Sequence, residues 1–241
     1  MATNFALKSE SDPRLGNYIV PDYVGTKVAV DFGANTGLFE KKYNTRFENI
    51  YYFEADHYNF LKATAGILSS GIKNCFGFNL AISGKTGDMV NIYSHNNGDS
   101  GSKSIINTDD MSQGKYHKIL TICPQDVLKM IGTDRIDYLK VDIEGAEFDA
   151  FENFDFSVVD FLAIELHTFT GFDKLDDLRN TILKTHEIVL QKKAIPNDCH
   201  EEVCFKIRSL QGKRHTRMGA RIYIWDNVRR NDWKMDERAI I

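Results

Sequence analysis

Residues 28–37 read VAVDFGANTG: an apolar, β-prone run, an acid at Asp31, and a turn with glycines at Gly33 and Gly37. Where a strand hands over to such a turn, the missing Cβ atoms let the backbone approach a bound group closely. A dinucleotide site would need G-x-G-x-x-G, which seats a pyrophosphate on the next helix N-terminus. Here Asn35 stands where the middle glycine would be and the spacing is G-x-x-x-G, so a pyrophosphate has no cradle. No Gly-Lys-Ser/Thr follows, which removes the P-loop as well. What remains is a strand-end carboxylate with a close-approach turn. It suits a ligand with a cationic amino-acid end and no phosphate, Asp31 meeting the ammonium directly or through a water. Taken alone, the same residues also make an ordinary tight turn.

A second acid narrows the choice. The stretch IYYFEAD (50–56) ends its β-prone run at Glu54, 23 residues after Asp31. In doubly wound sheets an acid at about this distance, on the tip of the second strand, accepts the ribose hydroxyls of a nucleoside. A helix-opening acid is the competing role, and Asp56 fills it better than Glu54 does. An acid with a glycine turn, then a ribose acid, and no grip on phosphate together meet the needs of S-adenosylmethionine. A third stretch, RIDYLKVDIEGAEFDAFENF (135–154), delivers Asp142 to the end of another apolar run, followed by Glu144, Gly145 and Glu147. Ligands of open parallel sheets gather outside the carboxyl ends of the strands. Three carboxylates crowded there raise one another's pKa unless they bind something, and capping a helix would use only one or two.

The rest of the chain gives these stretches a frame. With 241 residues, 42% hydrophobic and 27% charged, the composition is that of a globular protein and one domain over 1–241 is expected. Strands are predicted over 27–32, 49–54, 74–80, 136–142 and 161–167. Helices lie between several of them. TGLFEKKYN (36–44) opens on a capping-type Thr36 with Leu38, Phe39 and Tyr43 near one face; HYNFLKATAGILSSG (57–71) places Phe60, Leu61, Ala65 and Leu68 at helical spacing. Strand–helix alternation implies an α/β fold, a parallel sheet with helices on both faces. A polar insertion over about 84–118 breaks the rhythm with Asn-Gly and Ser-Gly signals, as a hairpin or substrate loop would. From about 184 to 228, HEIVLQKK, EEVCFKIR and ARIYIWDN are expected to close the sheet as antiparallel strands. The basic stretch KIRSLQGKRHTRMGAR (206–221) reads as a solvated loop or, more sharply, as a surface for an anionic substrate or partner.

Several classes are set aside. A net charge of −4 and no interleaved aromatic–basic stripe argue against a nucleic-acid partner. No run approaches the ~18 apolar residues of a membrane helix, and the first residues hold no signal-peptide core, so no membrane association and a cytoplasmic location are expected. Cys75, Cys123, Cys199 and Cys204 have no metal-ligand spacing and are expected to be free thiols.

VDFGANTGLF, YYFEAD, NLAIS (79–83) and above all IDYLKVDIEGAEFDAF resemble the FkbM family of S-adenosylmethionine-dependent methyltransferases, over roughly residues 27–170. GDSGSKSI (98–105) is similar to a Ser/Gly-rich segment that family carries before its fourth strand. The resemblance implies a Rossmann-like class I methyltransferase fold, a seven-stranded, mostly parallel sheet with an antiparallel last strand. It implies methyl transfer to oxygen, commonly on a sugar or glycan hydroxyl. Carried onto this chain, Asp31, Gly33, Asn35 and Gly37 would hold the methionine end of the cofactor and Glu54 its ribose. Ala81 and Ile82 would meet the adenine, and Asp142 and Glu144 would face the methyl group and the acceptor.

A sugar hydroxyl is a poor nucleophile, so a general base or a metal is useful. FLAIELHTF (161–169) sets Glu165 and His167 beside Asp142 in a parallel sheet, making His167 a candidate base and Asp142 the alternative. A satisfied strand-end histidine is the plain reading of His167. Asp142, Glu144, Glu165 and His167 could also bind a divalent ion, although no fixed spacing assigns one. His57 is placed beside the ribose acid; His95 and His117 flank the insertion. The expected partner is a small-molecule or glycan acceptor, with homo-oligomerisation left open. A catalytically silent binding module of the same fold and a non-sugar acceptor are the alternatives.

Overall fold

A computed structural model describes residues 18–94, 103–106, 116–167, 172–192, 200–208 and 223–225. The strands β1 (Val28–Phe32), β2 (Asn49–Phe53) and β3 (Cys75–Phe78) form one wing of a sheet, with β1 and β2 joined by helix α1 (Leu38–Tyr43) and β2 and β3 by α2 (His57–Ser69). After β4 (Ala81–Ile82) the chain runs through β5 (Met89–Ser94), β6 (Lys103–Ser104) and β7 (Tyr116–Ile122). Helix α3 (Pro124–Ile131), β8 (Tyr138–Val141), α4 (Glu147–Phe151) and β9 (Phe161–His167) follow, then α5 (Phe172–Leu183), β10 (His186–Lys192), β11 (His200–Ile207) and β12 (Tyr223–Trp225).

The large sheet has the order β12-β10-β11-β9-β8-β1-β2-β3. It is parallel from β3 through β9, after which β11 enters antiparallel to β9 and β10 antiparallel to β11. Two details depart from the sequence expectation. Among the described residues the sheet has eight strands instead of seven, and β12 joins β10 in parallel instead of closing the sheet antiparallel. Apolar alternation marks a strand but carries no information on its direction, which depends on the path of the connecting segment. β1 is flanked by β2 on one side and β8 on the other. The strand order therefore reverses at β1, and the crevice outside its carboxyl end is where such sheets bind ligands.

Successive side chains along each strand feed opposite faces. Val30, Phe32, Leu139, Val141, Leu162, Ile164 and Phe205 pack on one face with Val127 of α3, Phe151 of α4 and Leu178 and Ile182 of α5. Ala29, Ile50, Tyr138, Phe161, Ala163 and Cys204 face the other way, against Phe39 of α1 and the segment carrying Tyr18 and Val24. Tyr138 lies stacked between Phe39 and Phe161, with ring centroids 5.5 and 5.4 Å away. Each such fully buried large side chain contributes about 1.5–3 kcal/mol relative to exposure.

The helices differ in detail from their sequence reading. Thr36 does not cap α1; the N-cap is Gly37, in the left-handed region at φ 74°, where a side chain would press on Ala63 of α2. Asp56 does cap α2, accepting from the Asn59 N–H at 2.8 Å. The buried stripe of α2 is Asn59, Ala63 and Ile67, while Leu61 and Leu68 are exposed. Helical spacing predicts how often an apolar residue recurs, not which of two adjacent stripes meets the sheet; the cap at Asp56 and the contact with Gly37 set that rotation.

The polar insertion is a small sheet of its own, in the order β4-β7-β5-β6, with β5 antiparallel to β7 and β6 antiparallel to β5. His95 and most of GDSGSKSI and of the basic stretch 206–221 lie outside the described residues, as does Cys199; no disulfide joins the described cysteines Cys75, Cys123 and Cys204 to one another. Among the described residues no helix is long and apolar enough to cross a membrane.

Candidate active site

The turn after β1 is built on conformations that few residues tolerate. Gly33 has φ 92°, and a Cβ there would stand 1.7 Å from the Asp142 carbonyl oxygen. Asn35 also has a positive φ, 49°, which asparagine accepts more readily than other side chains. Asn35 thus supplies the backbone shape of the missing glycine while adding a polar side chain. The Gly33 and Ala34 N–H groups both donate to the Phe53 carbonyl, at 3.0 and 3.1 Å, which ties the turn to the tip of β2.

Glu54 stands at that tip. Its carboxylate accepts from the Asn35 N–H at 2.7 Å and from the Asp56 N–H at 2.8 Å. Burial is the larger influence and outweighs both hydrogen bonds, raising the Glu54 pKa from 4.5 to about 7. Gly33, Asn35 and Glu54 line a single cleft outside the carboxyl ends of β1, β2 and β8, together with Ala81, Ile82, Asp142 and Glu144. Seven of the ten predicted site residues are therefore brought together.

Asp31 and Gly37 are not in the wall of this cleft. Gly37 serves the packing of α1 on α2. Asp31 is wholly buried beneath the turn, and its partner is Lys140, whose ammonium donates to Asp31 Oδ1 at 2.9 Å and to the Gly33 carbonyl at 2.9 Å. That burial leaves Asp31 no exposed surface for direct contact with a ligand ammonium, the first of the two routes expected for it. The register explains the pair, because Asp31 and Lys140 stand opposite each other on neighbouring parallel strands. Glu40 of α1 is also fully buried here, and neither of its oxygens meets an ordinary donor. Burial first, and then the charge of Asp31, push its pKa well above the usual carboxylate range. Burial and the neighbouring charge thus both favour the protonated form of Glu40 over its carboxylate. A charged lysine inside the otherwise apolar YLKV run was the sequence signal for this cluster, since such a charge needs a buried partner.

Asp142 lies at the end of β8, its side chain 27% exposed, 3.9 Å from the Lys140 ammonium. Glu144 follows at φ 54° and Gly145 at φ 99°, a turn that delays α4 so that neither acid caps it. His167 is buried on the neighbouring strand. Its Nδ1 bonds Glu147 Oε1 at 2.9 Å, and its Nε2 lies 3.2 Å from Glu144 and 3.8 Å from Glu165. Burial by itself would lower the His167 pKa, but the hydrogen bonds to Glu144 and Glu147 outweigh it and raise the pKa to about 11. Both ring nitrogens are engaged with carboxylates, so His167 is not a free general base in this arrangement. Sequence adjacency could not show this, because Glu147 and His167 are brought together only by the packing of α4 beside β9. Tyr18 closes the far side, donating to Glu165 at 3.1 Å.

The insertion folds inward over the mouth. Lys103 of β6 lines the cleft and pairs with Asp56 at 2.7 Å, and the neighbouring Ser104 hydroxyl donates to the Glu144 carbonyl. One short strand therefore bridges the Glu54 side and the Asp142 side. His57 bonds Asn79 at 3.0 Å, away from the cleft lining, and His117 approaches the Ala55 carbonyl at 3.5 Å. Lys103 and Lys140 carry the two charges in this region that were not singled out from the sequence.

Comparison with known proteins places this arrangement. No curated protein matches the chain. A putative methyltransferase from Streptococcus mutans, solved in complex with SAH, superposes with a TM-score of 0.50 at 11% identity, over 77% of this chain and 92% of that one. A methyltransferase FkbM from Methylobacillus flagellatus gives a TM-score of 0.49 at 16% identity, over 78% of this chain and 46% of that one; this chain spans about half that protein's length. An rRNA methylase from Streptococcus thermophilus gives 0.49 at 10% identity, over 76% and 88%. At such identities a likeness speaks for the fold alone. The family described as the methyltransferase FkbM domain, however, matches residues 31–194, well over half of the sequence and nearly all of the cleft described above, and the chain belongs to that family.

Proposed function

We propose that the protein is an S-adenosylmethionine-dependent O-methyltransferase whose acceptor is a hydroxyl group of a sugar or glycan. The observation that carries this reading is the placement of Glu54 and Asp142 on two sides of one cleft, with the Gly33–Asn35 turn between them. Glu54 is a buried carboxylate at the tip of the second strand, suited to two ribose hydroxyls. The turn comes close to a ligand without offering phosphate a nest of free amides, since its first N–H groups are spent on Phe53. Ala81 and Ile82 form an apolar wall suited to a base. These features fit S-adenosylmethionine, which supplies an electrophilic methyl group on a sulfonium leaving group.

What the chain itself must do is align the acceptor and receive its proton. Asp142 is the base in this reading. It is a carboxylate at the cleft wall, whereas Asp31 is sealed beneath the turn and both ring nitrogens of His167 face carboxylates. Lys103, Glu144 and Asp142 surround the mouth with both donors and acceptors, which suits a polyol acceptor. Calorimetric titration with S-adenosylhomocysteine, followed by a methyl-transfer assay on a panel of nucleotide sugars and glycosides, tests the proposal. Binding together with transfer that Asp142→Asn abolishes is expected. Absence of cofactor binding at millimolar concentration would sink the enzyme reading. Transfer only to acceptors without a sugar would refute the substrate class.

A further inference from the structure

We propose that Asp142, Glu165 and His167 form a site for one divalent first-row transition-metal ion at the acceptor side of the cleft. One donor atom from each residue lies within 4.8 Å of the other two. The convergence follows from the sheet. β8 and β9 run parallel with Val141 opposite Ile164, so Asp142 and Glu165 emerge side by side from adjacent strand tips and His167 follows one turn of the pleat later. On an ion with ligand distances of about 2.1 Å, two donors stand at most about 4.2 Å apart. Rotation of the Asp142 and Glu165 side chains, 27% and 15% exposed, would have to provide that contraction of about half an ångström.

An independent observation points to a metal ligand in place of a mere ion-pair cluster. Metal-bound histidines regularly donate their second nitrogen to a carboxylate, which fixes the tautomer and the ring orientation. Here Glu147, fully buried on α4 and outside the three-residue set, takes Nδ1 at 2.9 Å. Nε2 is thereby turned toward the other carboxylates in a position 2% exposed. Glu165 has its own outer support in the Tyr18 hydroxyl. Two of the three ligands thus have supporting partners on other elements.

The donor set selects the ion class. One imidazole nitrogen and two carboxylate oxygens suit borderline divalent ions such as Mn²⁺, Fe²⁺ or Zn²⁺ better than an all-oxygen ion such as Ca²⁺. Binding would exchange the Nε2 proton for the ion, releasing that proton to solvent. Glu144 would then lose its present partner. Three protein ligands leave coordination positions open, and an acceptor hydroxyl placed there would lose its proton to Asp142 or solvent more readily. The ion's part in methyl transfer rests on the function proposed above, but its binding does not.

The test is a titration of Mn²⁺ into the full, EDTA-stripped chain without cofactor, followed by electron paramagnetic resonance of the free ion. Saturation at one ion per chain is expected, with affinity falling at least tenfold in Asp142→Asn and in Glu165→Gln. Glu147→Gln should weaken it about 10- to 100-fold by releasing the ring. Circular dichroism of each variant establishes that it is folded, and the wild-type titration decides the matter even where a variant is not. No saturable binding below millimolar Mn²⁺, or binding indifferent to both ligand variants, overturns the site. S-adenosylhomocysteine titrated in the presence of EDTA separates the two proposals. Cofactor binding without Mn²⁺ binding removes only the metal, and the reverse removes only the methyltransferase reading.

Discussion

Glu54 makes cofactor binding depend on pH in a calculable way. Its carboxyl titrates at about 7 in the free protein because it is buried, against an ordinary value of 4.5. The group holds its proton more tightly folded than unfolded. Its contribution to stability is therefore fully present below pH 4.5 and is lost as pH rises through 7, a change of about 3 kcal/mol. Ribose hydroxyls would donate to the ionised form and favour it. Free protein at pH 6 is mostly protonated at Glu54 and at pH 8 mostly ionised, so S-adenosylhomocysteine should bind about tenfold more weakly at pH 6 than at pH 8. Near pH 7 binding should release about half a proton per site. Calorimetry in two buffers of different ionisation enthalpy measures both quantities. Glu54→Gln should bind more weakly and lose the pH dependence. Wild-type affinity that is flat from pH 6 to 8, or a slope that survives in Glu54→Gln, would refute the placement of the ribose on this carboxylate.

Lys140→Met leaves Asp31 as a buried charge without its cation, a loss expected to cost about 3–5 kcal/mol at pH 8. Burial already raises the Asp31 pKa and Lys140 opposes that rise, so in the variant the carboxyl takes up a proton more readily and part of the stability returns at pH 5. Urea unfolding at the two pH values checks this; an equal loss at both, or a loss under about 1 kcal/mol, would contradict the pairing. Gly33→Ala forces a Cβ to within 1.7 Å of the Asp142 carbonyl at φ 92°. A destabilisation of about 2–4 kcal/mol is expected, with loss of cofactor binding. Asn35→Gly, which relaxes a positive φ while removing a polar side chain, should stay within about 1 kcal/mol of wild type by thermal melting.

The large α/β sheet was legible because its strands are buried on both faces and read as continuous apolar runs, each followed by a helix or a glycine turn. The position of Glu54 after Asp31 and the acids after Val141 were legible for the same reason. An acid at the end of an apolar run must lie at a strand tip, and parallel strands put their tips on one side. That much needs only local pattern and the rule of right-handed crossovers. The Leu61 and Leu68 stripe of α2 and the direction of β12 were not legible, because periodicity has no phase and alternation has no direction.

The roles of the charged groups were decided by tertiary structure. Asp31 and Lys140 are 109 residues apart and become neighbours only through the β1–β8 register. The Glu40 pKa is pushed up because α1 buries the group near the charge of Asp31. His167, a natural base by its ordinary pKa, has that pKa raised by carboxylates from the turn before α4 and from α4 itself. The sequence by itself determined which chemical groups arrive at the carboxyl edge of the sheet, since strand ends are encoded locally. Which of those groups face the cleft, and in which protonation state, depends on burial and on partners far along the chain, and only the packed structure settles those.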